Sequence, residues 1–258
     1  MLTHWQGRPV LDWAKRWGVP FLEVHHQVSS TNDVLLEMDE VERAPYGVVI
    51  AEEQTAGRGR NNTTWYSPDG MGLLVSILLP RLPGVYPYIS LILGLAVAQA
   101  IEVLGNSSSA KLKWPNDVLL DGAKVAGVLC ESSGAWIVAG IGVNICTPKD
   151  GFPSEFSTRT SSLEKAFRVQ LETSYVAEVL ISRLLKLKPI FDYPLSIDQL
   201  PSEFHKELSS RDALIGSYVM TQQEGDGIAR GINREGALVL ERKDGSLVPV
   251  ISGSVALI

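Results

Sequence analysis

The chain has 258 residues, 45% of them hydrophobic, and a formal net charge of −6. That length suits one large core plus a small module, and the acidic balance opposes broad nucleic-acid binding, which needs a basic face against phosphate. The longest apolar run, Ile89 to Ala98, is too short to span a bilayer, and Arg8, Asp12, Lys15 and Arg16 interrupt the start where a signal peptide would be apolar, so a cytoplasmic protein without membrane attachment is expected.

In chain order, residues 1–20 read as a leader whose Trp5, Trp13 and Trp17 pack onto the domain, and residues 21–28 alternate as a strand. His25 and His26 are adjacent, face opposite sides of that strand, and do not readily share one metal ion. Ser30 then precedes a short helix reaching about Glu40, with Asp33 as its third residue. Strands at 46–53 and 72–80 flank a polar loop that carries Gln54-Thr-Ala-Gly-Arg-Gly-Arg60, then Asn61, Asn62, Thr63, Thr64 and Trp65. The guanidinium groups of Arg58 and Arg60 can fork onto carboxylate or phosphate, and the glycines between them let backbone approach a ligand. No Gly-Lys-Ser/Thr follows, so this is not a P-loop; an exposed flexible loop is the competing reading.

Residues 86–104 repeat apolar positions at helical spacing and stop at Gly105. Short strands follow at 110–114, 117–121, 124–131 and 135–145, the second and third joined by Asp121-Gly122, a hairpin signal. In Lys113-Trp-Pro-Asn-Asp117, Pro115 removes a backbone donor and leaves Asn116 and Asp117 free to aim their side chains, although a plain Asx-capped turn accounts for the segment equally well. Lys124 heads an apolar strand, where a lysine usually snorkels to water. Gly140-Ile-Gly-Val-Asn144 places glycines within a strand, a mark of close approach by a ligand or another backbone. The two cysteines, Cys130 and Cys146, lie in apolar patterns without metal-ligand spacing and read as buried free thiols. Helical patterns return at 172–188 and 197–208. From Arg211 onward, five short β-like runs separated by glycine-containing turns suit a small barrel. The fold class is α+β, with residues 1–210 as the main unit and 211–258 as a C-terminal β module.

Taken in order, Ser30-Thr31-Asn32, Gln54 to Arg60, Trp65, Lys113 to Asp117, Lys124-Val-Ala-Gly-Val-Leu129 and Gly140 to Asn144 resemble the biotin protein ligase family, and residues 227–240 resemble its C-terminal SH3-like module. The resemblance implies a mixed β-sheet backed by helices, related to class II aminoacyl-tRNA synthetases, and a catalytic ligase domain followed by a small SH3-like barrel. It implies an enzyme that joins biotin to ATP, with Mg2+, as biotinyl-5'-AMP and then passes biotin to a lysine of a biotin carboxyl carrier protein domain. On this resemblance Ser30, Thr31, Asn32 and Gln54 hold the biotin heterocycle, while Arg58, Gly59 and Arg60 fold over biotin and phosphate. Lys124 bridges carboxylate and α-phosphate. Trp65, Lys113, Asn116 and Asn144 lie on the nucleotide side, and Asp117 orients or deprotonates the acceptor lysine. Arg60, Lys124 and Asp117 would be the catalytic group. The family commonly has further basic residues where this chain has Asn61 to Thr64, so the loop keeps its length with less charge.

A lipoate ligase or octanoyltransferase would share the fold, but the Gly-Gly-Gly-Ala-Val type run and the early Arg-Arg of those relatives are not found in this sequence. A biotin-responsive DNA-binding repressor would need an N-terminal helix-turn-helix, for which the residues ahead of the first catalytic strand are too few, so no nucleic-acid partner is expected. Such families include both monomers and sheet-edge homodimers. Read as a lid over a hydrolysable mixed anhydride, the 54–65 loop should become ordered on ligand binding. Limited proteolysis within residues 57–64 is expected to slow when biotin and ATP are added together; equal cleavage rates in both states would count against a lid.

Overall fold

The computed structural model describes residues 1–81, 88–106, 110–153, 160–192 and 199–258. The starts expected for the helices at 86–104 and 197–208 lie partly outside those residues. The leader forms a hairpin of β1 (His4–Trp5) and β2 (Arg8–Pro9) and a helix α1 (Val10–Trp17). Sequence reading had placed only a packed leader there. Two signals in fact bracket the helix: Pro9 directly before it and Gly18, left-handed at φ 69°, directly after it. Trp5, Trp13 and Trp17 pack edge-to-face or tilted at centroid separations of 5.3–6.0 Å, and the Trp13 indole N–H donates to Trp5 O at 2.9 Å.

Next come β3 (Leu22–Val28), α2 (Thr31–Glu37), β4 (Val48–Gln54), β5 (Gly72–Pro80), α3 (Ile89–Gly105), β6 (Lys111–Lys113), β7 (Asp117–Leu120), β8 (Ala123–Ser133) and β9 (Trp136–Asn144). α2 ends earlier than the expected Glu40, because Arg43 reaches back and donates to the carbonyls of Leu36 and Met38, satisfying the helix terminus. Helices α4 (Leu163–Phe167), α5 (Thr173–Leu185), α6 (Lys188–Asp192) and α7 (Ser202–Arg211) follow. The short α4 and α6 are too brief to show helical periodicity in sequence.

The main sheet has seven strands in the order β3-β4-β5-β9-β8-β7-β6, and only β3 and β4 pair in parallel. Alternation along β5 divides its two faces: Leu73, Val75, Ile77 and Leu79 enter the large core, whereas Leu78 joins a second cluster with Leu35, Val49 and Val138 on the α2 side. From Ile89 to Ala98 α3 is buried around its circumference, and it packs against the sheet, α5 and α7; its last turn reaches the surface at Val103.

The last strands are β10 (Tyr218–Thr221), β11 (Gly225–Ile232), β12 (Leu238–Glu241), β13 (Leu247–Val250) and β14 (Val255–Leu257). They form a five-stranded antiparallel sheet ordered β13-β12-β11-β10-β14, with no hydrogen-bonded ladder joining the two outer strands among the described residues. The five runs expected from sequence are therefore present. Closure into a barrel by backbone pairing is not seen.

Trp13→Ala is expected to lower the unfolding free energy by about 3–5 kcal/mol, since it empties a buried aromatic site. Arg16→Ala, which removes a solvent-exposed ion pair to Glu178, should leave the urea midpoint close to that of the parent. Urea unfolding of both variants measures the difference.

Candidate functional site

A cavity of about 270 Å³ opens on the α2 side of the main sheet, and its walls include Ser30, Thr31, Asn32, Gln54, Arg58, Gly59, Arg60, Trp65, Lys113, Asn116, Asp117 and Lys124. The residues singled out in sequence therefore share one cavity, with the exception of Asn144. That side chain is buried and donates to Ser161 O at 3.1 Å, while Ser161 N–H donates to Lys124 O at 2.9 Å. Asn144 thus sits behind the wall and steadies the backbone of Lys124.

One end of the cavity is uncharged and polar. Ser30 caps α2 by accepting from Asn32 N–H, which turns the next two side chains toward the sheet. Gln54 Oε1 accepts from both Thr31 N–H at 2.8 Å and Thr31 Oγ1 at 3.0 Å. Beneath them lies Ser76, fully buried on β5, with its hydroxyl 2.7 Å from Thr31 Oγ1 and 2.6 Å from Asn32 Oδ1. Sequence reading missed Ser76. Its signal was a single hydroxyl inside the apolar run Leu73 to Leu79, a buried polar group that requires partners.

The glycines of β9 make room for this arrangement. A Cβ on Gly140 would come within 2.4 Å of Asn32 Oδ1, and one on Gly142 within 2.3 Å of the Trp65 ring. Trp65 consequently lies against the sheet, with Lys124 Nζ 5.3 Å from its ring centroid and its indole N–H buried without a partner among the described residues.

The loop itself is a hydrogen-bonded hairpin. Gly59 N–H donates to Thr63 O at 2.7 Å, Trp65 N–H donates to Gly57 O at 2.9 Å, and Arg58 and Thr64 form an antiparallel bridge. Asn61 is left-handed at φ 52°, a conformation that Asn tolerates better than most residues, which suits an Asn to this turn.

The charges are arranged differently from a simple row of free cations. Arg58 is gripped at two points by Asp33, at 2.5 and 3.1 Å, and lies 3.3 Å from Glu131 Oε2. Lys124 pairs with Asp117 at 2.6 Å. Arg60 has no ion-pair partner among the described residues, and its Nε is buried without a hydrogen bond. Asn116 donates to Val128 O at 2.8 Å and so clamps the β6–β7 turn onto β8. Three residues that sequence reading did not single out, Gly253, Ser254 and Val255 of the C-terminal sheet, also line the cavity. Their approach depends on how the two sheets pack, for which no local pattern exists.

Burial pushes Cys130 up to about 12 although the Arg60 charge draws it down, and burial with the neighbouring Glu164 pushes Cys146 up to about 11. Both are only half-buried by exposure, less enclosed than the sequence suggested. Among the described residues, one group places metal-type ligand atoms within 4.8 Å of one another: His26, Glu52 and Asp69. It lies outside the cavity.

The family described as "Biotin/lipoate A/B protein ligase family" matches residues 24–145, and "Biotin protein ligase C terminal domain" matches residues 220–257. The chain is 31% identical over 244 residues to the bifunctional ligase/repressor BirA of Escherichia coli, covering 89% of this chain and 72% of that protein. It is 33% identical over 250 residues to the biotin--[acetyl-CoA-carboxylase] ligase of Mycobacterium tuberculosis, covering 91% and 88% respectively. The solved structure of a biotin protein ligase from Aquifex aeolicus in complex with biotin and ATP superposes with a TM-score of 0.77 at 27% identity, over 93% of this chain and all of that one (100%).

The Arg58 guanidinium holds the Asp33 carboxyl below its ordinary value. A depressed carboxyl contributes stability that is present above its unfolded value, about 3.9, and is lost as pH falls through the lower folded value. An NMR titration of the Asp33 carboxyl should give a midpoint below about 3.9 that moves upward in Arg58→Gln.

Proposed function

Because the chain belongs to the biotin protein ligase family, we propose that it activates biotin with ATP and transfers it to a lysine of a biotin carboxyl carrier protein domain in the cytoplasm, where ATP is supplied. The observation that carries this reading is the meeting, in one cavity, of the polar cluster Ser30-Thr31-Asn32-Gln54 with the cations Arg58, Arg60 and Lys124. The match of residues 220–257 to a biotin protein ligase module supports biotin over lipoate as the acid.

In the first half-reaction a biotin carboxylate oxygen bonds to the α-phosphorus of ATP and the bond to the β-phosphate oxygen breaks, releasing pyrophosphate. Both reactants are anionic, and like unit charges about 4 Å apart repel by about 4 kcal/mol at an effective dielectric of about 20. Arg60, unpaired in the cavity, is placed to offset that repulsion, and Lys124 joins it once its carboxylate partner is exchanged for a ligand oxygen. Ser30, Thr31, Asn32 and Gln54 bind the ureido ring; Gly59 lets the loop backbone come close. Trp65 offers its face near the adenine, Lys113 and Asn116 border the nucleotide, and Asn144 acts through Lys124. Magnesium fits as an ion brought by the triphosphate: among the described residues Asp117 is the one carboxylate in the cavity wall, too few protein ligands for a dedicated cage. When bound it would supply positive charge to the phosphates.

In the second half-reaction the acceptor lysine amine bonds to the biotinyl carbonyl carbon, AMP leaves, and the amine gives up a proton. Asp117, released from Lys124 by that exchange, is the acceptor for that proton. The catalytic unit is residues 1–210, and residues 211–258 complete the cavity from the C-terminal side.

Incubation with ATP, magnesium, biotin and a carrier domain, followed by mass analysis of the carrier, tests the reading. The parent should add one biotin, and Arg60→Ala and Lys124→Ala should each slow transfer by about 10²–10³-fold, as expected for loss of a group aimed at developing charge. Lipoate transferred in place of biotin, or no transfer by the parent, would reject it.

A further inference from the structure

Glu131 lies on β8 outside the cavity wall, yet it holds two residues that form the wall. Its Oε2 accepts from Asn32 Nδ2 at 2.6 Å and lies 3.3 Å from Arg58. We propose that Glu131 is a positioning residue for the heterocycle end of the site: it sets the polarity of the Asn32 amide and ties the 54–65 loop to that amide through Arg58. The proposal rests on the biotin ligase reading and deepens it.

An amide can seat in either of two orientations, with donor and acceptor ends exchanged. A carboxylate only accepts, so the Nδ2 end of Asn32 must face Glu131. The Oδ1 end then faces Ser76, whose hydroxyl donates, and Gly140 leaves backbone-close space for it. The second Nδ2 hydrogen reaches Leu129 O at 3.5 Å, which leaves Asn32 one carbonyl lone pair for a ligand. A cyclic urea N–H can donate to it. Reversal of the amide would set its carbonyl oxygen against the Glu131 carboxylate, acceptor facing acceptor, in a buried site where unmatched polar groups are costly. Arg58 links this choice to the loop, because the same carboxylate oxygen that orients the amide attracts the guanidinium.

The effect should therefore be selective for biotin. In Glu131→Ala the KM for biotin is expected to rise about tenfold or more, while the KM for ATP stays within about twofold. Glu131→Gln, whose carbonyl can still accept from Asn32, should recover the biotin KM to within about threefold of the parent. Near-UV circular dichroism and the thermal midpoint establish folding. Where Glu131→Ala does not fold, Ser76→Ala decides, since it removes the donor at the other end of the same amide and should show the same biotin-selective rise. An unchanged biotin KM in the folded variants, or equal rises for biotin and ATP without rescue by Gln, overturns the proposal while leaving an active parent as a biotin ligase. A parent that transfers no biotin removes the functional reading and this proposal together.

Discussion

Placing cations around a half-enclosed cavity requires that their charge be compensated before any ligand arrives. Arg58 lies between Asp33 and Glu131, and Lys124 lies on Asp117, so two of the four cations in the wall are matched by carboxylates of the same protein. Were they unmatched, positive groups about 4 Å apart would repel by about 4 kcal/mol even at an effective dielectric near 20. The cost is that a ligand anion must displace or share these carboxylates. That favours a reactant pair with several negative charges over a lone carboxylate, and among the described residues it leaves Arg60 and Lys113 as wall cations available without exchange.

The rest of the structure serves to bring these charges together. Burial of β5 on both faces fixes its parity, sending Leu73, Val75, Ile77 and Leu79 into the core and Ser76 toward α2. The same parity on β9 turns Gly140 and Gly142 to the cavity, where the missing side chains admit Asn32 and Trp65. A shift of one residue in either strand would put bulky apolar groups in those places and polar ones in the core, so the register of the sheet and the chemistry of the cavity are one constraint.

A continuous polar chain runs from Gln54 through Thr31, Ser76 and Asn32 to Glu131, Arg58 and Asp33. It connects the uncharged end of the cavity to the charged loop. In a setting of low local dielectric such a network is stabilising only when each member is satisfied, which is why buried Ser76 and Asn32 are held from two sides.

Local residue chemistry was enough to find much of this in the sequence. Alternation identified the strands of the sheet and Ser30 announced the start of α2, while the residues from Ser30 to Lys124, grouped as a site by the resemblance of their motifs to the family, do share a cavity. These features depend on neighbours within a few positions, so the chain carries them in its order alone. Asn144 behind the wall, the pairing of Arg58 with Glu131 and of Lys124 with Asp117, and the arrival of Gly253 to Val255 at the cavity were decided only in the folded chain. Each depends on which strand lies beside which and on which face a side chain leaves, and contacts between residues distant in sequence leave no periodic trace in it.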